Sequence, residues 1–155
     1  KSARENDIPA LGLCLGMQLM VIEFSRNVLE IEATSGEFDE QGRKVIKMMD
    51  EQEDVEKKGG TMRLGGYQAK LNGRVKQVYG EETVTERHRH RYEVDPELVP
   101  DLESKGLKIE GWYENLPEFS NLEENSFYIG TQAHPEFNST FENPSPLFVE
   151  FLKSV

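Results

Sequence analysis

The sequence predicts an α/β fold, in which helices cover a doubly wound, mainly parallel β-sheet. The first observation is an apolar run over residues 8–13 that ends in a Gly-x-Cys-x-Gly turn, after which apolar residues follow a helical period. The second is an apolar run over residues 127–133, which an amphipathic helical pattern follows. A length of 155 residues suits one domain with a sizeable core, and we expect that domain to occupy 1–155.

The start of the chain predicts that more of this domain lies upstream. Residues 1–5 have the character of the last turn of a helix, and residues 6–7 lead directly into the first apolar run. Because α/β sheets are normally entered through earlier strands, we expect the first strands of the domain to precede Lys1.

The Gly-x-Cys-x-Gly turn has the form of a nucleophile elbow. Gly12 and Gly16 flank Cys14, and this spacing lets the backbone turn sharply beneath an exposed side chain. The start of a helix favours a thiolate on Cys14, and the N–H of Leu15 would point towards an oxyanion. The alternative is that Cys14 is a small buried hydrophobic residue. The elbow favours acyl transfer with Cys14 as the nucleophile.

Periodicity predicts the remaining elements in order. The first half contains a helix over 17–28, a mixed polar segment over 29–42 with a loop at 34–39, a short strand over 45–49, a solvated charged loop over 50–58 and a glycine-bounded turn over 59–66. The second half contains strands over 67–71, 84–94, 107–113 and 127–133, helices over 75–79, 96–105 and 144–155, and a loop over 116–125. The glycine-bounded turn lacks the Lys-Ser or Lys-Thr pair of a phosphate-binding loop.

The strand over 84–94 alternates arginines with histidines. Its periodicity places Arg87, Arg89 and Arg91 on one face and His88 and His90 on the other. Two histidines at this spacing can hold a metal, but no cysteine or acidic set has matching spacing, so we expect no metal. The arginines would either pair with the surplus carboxylates or offer forked donors to a carboxylate ligand.

The last predicted strand delivers His134-Pro135-Glu136 at its end. The proline fixes the backbone between the histidine and the carboxylate, so Glu136 can orient His134 as a base. Since Cys14 also follows a predicted strand, and the carboxyl ends of parallel strands meet at one sheet edge, the two side chains should lie together. The sequence therefore predicts a triad of Cys14, His134 and Glu136.

Composition excludes several classes of protein. The 29 acidic and 18 basic residues give a net charge of −11, which repels phosphate backbones and argues against a nucleic-acid-binding surface. The apolar runs are too short to cross a membrane. A single cysteine precludes an internal disulfide, and the first residues have no apolar signal core. We therefore expect a cytoplasmic protein that acts on small molecules or other proteins.

These motifs together resemble the class I glutamine amidotransferase family. The segment 12–18, Gly-Leu-Cys-Leu-Gly-Met-Gln, and the His-Pro-Glu motif carry this resemblance. The segments 59–65 and 86–94 resemble, more narrowly, the amidotransferase domains of the CTP synthase family. The resemblance covers essentially the whole chain and implies a flavodoxin-like, doubly wound domain that lacks its first strands here.

The resemblance assigns roles to individual residues. It implies that Cys14 is the nucleophile, His134 the general base and acid, and Glu136 the group that orients His134. The residues that it implies for L-glutamine binding are Leu15, Gly16, Met17, Gln18, Glu37 and Arg91. The ammonium group of free glutamine suits a glutamate and its carboxylate suits an arginine.

The resemblance also implies partners outside this chain. In family members, ammonia passes to a synthetase domain, where ATP and Mg serve to activate UTP, and CTP is formed for pyrimidine nucleotide biosynthesis. GTP acts as an allosteric effector and the protein is a homotetramer. For this chain we expect no cofactor and no synthetase domain. The family's second oxyanion donor comes from a glycine-rich loop upstream of the elbow, so we expect weak or no glutaminase activity here, because losing one such donor can cost ~100-fold or more.

Two alternatives stay open. Another class I amidotransferase, or a γ-glutamyl hydrolase, would use the same triad but would have no reason to carry the Arg87–Arg91 run and the Met62 turn. A non-catalytic glutamine-binding module would keep the fold without needing an intact triad.

Overall fold

The computed structural model describes residues 1–38, 41–48 and 62–155, which form five helices and nine strands. The helices are α1 (Ser2–Glu5), α2 (Leu15–Asn27), α3 (Gly73–Tyr79), α4 (Val99–Ser104) and α5 (Pro146–Ser154), with 3-10 turns at Pro96–Leu98 and Pro135–Phe137. The strands are β1 (Ala10–Leu13), β2 (Ala33–Ser35), β3 (Arg43–Met48), β4 (Arg63–Leu71), β5 (Thr83–His90), β6 (Tyr92–Val94), β7 (Leu107–Tyr113), β8 (Leu116–Leu122) and β9 (Tyr128–Thr131).

The described strands form two sheets. A six-stranded sheet has the order β1-β9-β8-β7-β4-β5, and a three-stranded sheet has the order β2-β3-β6. β1 pairs with β9 and β2 with β3 in parallel, whereas the other strand pairs are antiparallel. The α/β class is as predicted, but the described sheets are mixed rather than mainly parallel. The reason is local, because short connections such as the turn at Glu114 between β7 and β8 can join only antiparallel neighbours.

Apolar clusters cover both faces of the larger sheet. On one face, α2 buries Met17, Val21 and Phe24 in a cluster that reaches Tyr128 of β9. On the other face, Val75 of α3 and Leu147 of α5 pack in a cluster that includes Ile129, the next residue of β9. This alternation along β9 keeps the strand buried on both sides and holds its carboxyl end at a fixed position. None of the helices in the described part of the chain is long and apolar enough to span a bilayer.

Three predicted loops have a different structure. The segment 116–125 contains β8, whose buried residues include Glu118, Ser120 and Asn121, so it has no strand-like alternation to detect. Within the predicted loop at 34–39, Thr34 and Ser35 belong to β2. Residues 64–66 of the predicted turn lie inside β4, where Gly65 takes a φ of +111°. The charged stretch 50–58, the glycines at 59 and 60, and the last residue of the strand predicted over 45–49 lie outside the described residues.

Candidate active site

The predicted elbow is present, with Cys14 alone between β1 and α2. Cys14 has φ +49° and ψ −103°, a conformation that residues with side chains rarely adopt and that functional sites often contain. Its N–H donates to the carbonyl oxygen of Thr131 at 2.7 Å, and its own carbonyl accepts from the N–H of Gln18 at 3.2 Å. These backbone bonds hold the strained residue between the carboxyl end of β9 and the first turn of α2.

The two glycines of the elbow have different structural roles. A Cβ on Gly12 would lie 2.7 Å from both the carbonyl carbon of Gly16 and the Sδ of Met20, so α2 could not pack this closely on β1. A Cβ on Gly16 would meet nothing within 4 Å. Gly12 is therefore required by packing, whereas the space beside Gly16 is open.

Burial sets the ionisation of the Cys14 thiol. Cys14 is half-buried, and desolvation is the largest cause that raises its pKa above the ordinary value. The Leu15 N–H and the Gln132 side chain lower the pKa, while the charges of Glu136 and Glu37 raise it. The start of α2 favours the thiolate through the Leu15 N–H, as expected, but burial outweighs this donor and leaves the pKa of the free chain raised. The thiolate needs a further donor or a base in order to form.

His134 and Glu136 are paired as predicted. The Nδ1 of His134 lies 2.6 Å from the Oε1 of Glu136 in the 3-10 turn, which leaves Nε2 as the nitrogen available for proton transfer. The backbone N–H of His134 donates to the carbonyl of Arg87 at 2.8 Å, and its ring stacks on Phe137 with centroids 5.0 Å apart. The histidine is thus held by its backbone, its ring face and its Nδ1.

Strand register brings Cys14 and His134 to the same sheet edge. Leu13 pairs with Thr131 at the parallel ends of β1 and β9, so the residues that follow both strands emerge side by side. Glu136 lies close enough for its charge to act on the Cys14 thiol. The three residues predicted to form the triad therefore share one site.

The residues predicted to bind glutamine fall into buried and exposed groups. The side chain of Met17 is fully buried in the core, which leaves only its backbone for a ligand. Gln18 is also buried, and its Nε2 donates to the carbonyl of Tyr92 at 2.9 Å. Glu37 is exposed in the turn after β2, and its N–H donates to the Ser35 hydroxyl at 3.1 Å. Arg91 is exposed between β5 and β6.

The Arg-His strand has the alternation that its sequence predicts. Arg87, Arg89 and Arg91 are exposed and form no ion pair with another described residue. His88 and His90 are buried, and the Nδ1 of the first lies 2.9 Å from the Nε2 of the second. Among the described residues, no group of three or more His, Cys, Asp or Glu side chains is arranged to hold a metal ion.

A buried ionic cluster that no sequence motif indicates lies behind this strand. The Nη1 of Arg63 lies 3.0 Å from Glu93 and 2.6 Å from Glu118, and its guanidinium stacks on Tyr67 and Tyr113 at 4.2 and 4.5 Å from their ring centroids. Burial raises the pKa of Glu93 to about 7 and that of Glu118 to about 8, against the opposing charge of Arg63. Arg63, Glu93 and Glu118 lie in three different strands, and no local spacing in the sequence indicates that they meet.

The directions of the hydrogen bonds around His88 and His90 indicate that Glu118 carries a proton. The carbonyl of Tyr92 can only accept, so the Nδ1 of His90, 3.1 Å away, carries the proton and its Nε2 accepts from His88. The Nε2 of His88 is then an acceptor, and it faces the Oε2 of Glu118 at 3.4 Å. An ionised Glu118 would set two acceptors face to face and leave Oε2 without a donor, so we infer that Glu118 is protonated and that Arg63 is balanced by one ionised glutamate. Burial lowers the pKa of His88 to about 2 and that of His90 to about 4, which keeps both neutral.

Comparisons with known proteins agree on one family. The model of the family "Glutamine amidotransferase class-I" matches residues 1–154. CTP synthase of Haloarcula hispanica is 50% identical over 99% of this chain, which spans 29% of that protein. CTP synthase of Methanocaldococcus jannaschii is 52% identical over 96% of this chain, which spans 28% of it. The chain thus spans less than a third of these curated relatives.

Two solved structures have a fold similar to that of this chain. The first is described as the glutaminase domain of Trypanosoma brucei CTPS with bound acivicin. It has a TM-score of 0.91 and 34% identity, over 98% of this chain and 61% of that chain. The second, a GMP synthase-like protein of Thermoplasma acidophilum, has a TM-score of 0.61 at 15% identity, over 97% of this chain and 59% of that chain, which supports the fold alone. The class I amidotransferase fold predicted from the sequence is confirmed.

Proposed function

This chain belongs to the class I glutamine amidotransferase family, and we propose that it hydrolyses the side-chain amide of L-glutamine through a thioester on Cys14. The observation that carries this proposal is the pairing of a strained Cys14 elbow with His134, whose Nδ1 lies 2.6 Å from Glu136. A nucleophile, a base and an orienting carboxylate at one sheet edge are the groups that acyl transfer requires.

The proposed reaction has two halves. In the first, the Nε2 of His134 takes the proton of the Cys14 thiol, the thiolate attacks the amide carbon of glutamine, and the N–H of Leu15 donates to the oxyanion that forms. The Nε2 of His134 gives a proton to the departing nitrogen, so ammonia leaves and a thioester remains. In the second, His134 takes a proton from water, the water oxygen attacks the thioester, and glutamate and the free thiol are released. Glu136 holds Nδ1 throughout and stabilises the imidazolium.

We assign the recognition of the free amino acid to the exposed residues Glu37 and Arg91. The carboxylate of Glu37 would receive the α-ammonium group, and its charge already acts on Cys14. Arg91 has no ion-pair partner among the described residues, so its forked donors are available to the α-carboxylate. The open space beside Gly16 would admit the ligand, while the buried side chains of Met17 and Gln18 support the site from beneath.

The wider activity that we propose is the amination of UTP to CTP in the cytoplasm. It is supported by CTP synthase relatives that are 50% and 52% identical to this chain. In such an enzyme, the ammonia released from glutamine at Cys14 would pass to a synthetase domain that binds ATP, Mg and UTP. A homotetramer with GTP as allosteric effector belongs to the same proposal. Full-length protein carrying Cys14→Ala should lose glutamine-dependent CTP formation and keep formation driven by added ammonia.

The glutaminase proposal is tested by covalent trapping. The chain is incubated with a glutamine-mimicking diazoketone and its intact mass is measured, with Cys14→Ala, Arg91→Ala and Arg89→Ala in parallel. We expect one adduct on the wild-type chain, none on Cys14→Ala and at least about tenfold slower labelling of Arg91→Ala, because a charge-assisted contact is lost. Arg89→Ala controls for the loss of an exposed arginine on the same strand. Equal labelling of the wild type, Arg91→Ala and Arg89→Ala would refute the recognition of the amino acid by Arg91.

A further inference from the structure

Gln132 contacts the nucleophile although no sequence motif indicates it. It follows β9, lies two residues before His134, and is fully buried. Its Nε2 donates to the Sγ of Cys14 at 3.5 Å, and its Oε1 accepts from the Nε2 of Gln18 at 3.1 Å. One amide therefore joins the nucleophile to the first turn of α2.

The direction of this amide is determined by the backbone. The carbonyl of Tyr92 can only accept, so Gln18 must turn its NH₂ group towards it, at 2.9 Å. The second hydrogen of the same NH₂ group points at Gln132, which must present its oxygen there. Gln132 then has only its own NH₂ group to turn towards Cys14. Flipping either amide would bring two oxygens or two NH₂ groups face to face.

We propose that Gln132 is a positioning residue, which orients the Sγ of Cys14 and favours its ionised form, and that Tyr92 fixes its direction through Gln18. A donor held against the sulfur stabilises a thiolate more than a thiol, since charge strengthens a hydrogen bond. The other groups that act on the thiol are the Leu15 N–H from α2, Glu37 from the turn after β2, and Glu136 beyond β9. Both carboxylates oppose ionisation of the Cys14 thiol, and the neutral NH₂ group of Gln132 acts in the opposite direction.

This inference rests on the proposed role of Cys14 as the nucleophile, but its test does not require turnover. Cys14 is the only cysteine in the chain, so alkylation by iodoacetamide reports on this thiol alone. The alkylation rate is measured against pH for the wild type and for Gln132→Met, which keeps the length of the side chain without the donor. Gln68→Met, on the exposed face of β4, is the matched control.

We expect the midpoint of the alkylation profile to rise by about one pH unit in Gln132→Met, with a rate about tenfold lower at pH 7. Gln18→Met should give a smaller rise in the same direction, because Gln132 keeps its NH₂ group but loses the partner that directs it. Gln68→Met should match the wild type.

Thermal unfolding of each variant separates a local effect from a general loosening of the fold, which would lower the unfolding temperature and expose the thiol. A wild-type midpoint in a folded Gln132→Met would overturn the inference. A shifted midpoint in a chain that the diazoketone does not label would support the role of Gln132 and contradict the proposed function. The two failures are therefore distinguishable.

Discussion

Replacing Glu118 with glutamine should remove a pH dependence of stability that the wild type shows above pH 6.5. Glu118→Gln has the shape of the protonated acid, so its NH₂ group can donate to His88 and its oxygen can face Arg63. A carboxyl whose pKa rises from 4.5 to about 8 on folding binds its proton more tightly in the folded state. Its contribution to stability is therefore present at low pH and is lost as the pH rises towards 8.

The window for the measurement follows from the neighbouring histidines. Folding lowers the pKa of His88 to about 2 and that of His90 to about 4. Near pH 6.5 and below, these histidines bind protons in the unfolded chain but not in the folded chain, so their contribution to stability rises with pH whereas that of Glu118 falls. The histidines, and Glu93, whose pKa is raised to about 7, are present in both proteins, so their effects cancel to first order in the difference between the wild type and Glu118→Gln. Between pH 6.5 and 8 the wild type should lose about 1.6 kcal/mol relative to Glu118→Gln, because the slope of 1.36 kcal/mol for each pH unit falls to half as the pH reaches the pKa of about 8.

Urea unfolding at several pH values, followed by the fluorescence of the single tryptophan, Trp112, measures this difference. Glu123→Gln, an exposed glutamate just after β8, is the control for removing one negative charge. We expect a variant close to the wild type in stability at pH 6.5 and more stable at pH 8. A Glu118→Gln variant that is less stable than the wild type by the same amount at every pH would mean that Glu118 is ionised, and would refute the assignment of the proton.

Two further predictions concern the elbow and the triad. Gly12→Ala should lower the free energy of unfolding by about 2 kcal/mol or more, because the new Cβ would lie 2.7 Å from Gly16 and Met20. Gly16→Ala should leave urea unfolding unchanged but slow diazoketone labelling, and equal destabilisation by both changes would contradict the difference in packing. Glu136→Gln should slow labelling of Cys14 by about tenfold or more, because the amide no longer accepts a charge-assisted bond from His134. Labelling at the wild-type rate would exclude the orienting role of Glu136.

The Cys14 elbow and the pairing of His134 with Glu136 were predictable because their evidence is local. Glycine spacing around Cys14 and the proline between His134 and Glu136 both constrain the backbone within a few residues, and both appear in the structure as expected. The strand β7 was predicted at its observed bounds, Leu107–Tyr113, because it combines apolar periodicity with clear flanking turns. Such signals do not depend on knowing which strands become neighbours.

The missed features depend on contacts between distant segments. β8 buries Glu118 beside Arg63 of β4, and a polar strand of this kind has no apolar period that could be recognised before its partners are known. Gln132 is informative only once Gln18 and Tyr92 are placed around it. The helix start that favours the thiolate of Cys14 is visible in the sequence, whereas the burial that raises its pKa is not.

The central claim, that free L-glutamine binds against Cys14, is tested most directly by ligand protection. Cys14 of the wild-type chain is alkylated with iodoacetamide at increasing concentrations of L-glutamine, and the modified fraction is measured by intact mass. We expect saturable protection that Arg91→Ala weakens at least about tenfold and Arg89→Ala leaves unchanged. An alkylation rate that does not respond to L-glutamine in a chain shown to be folded would contradict the proposed site.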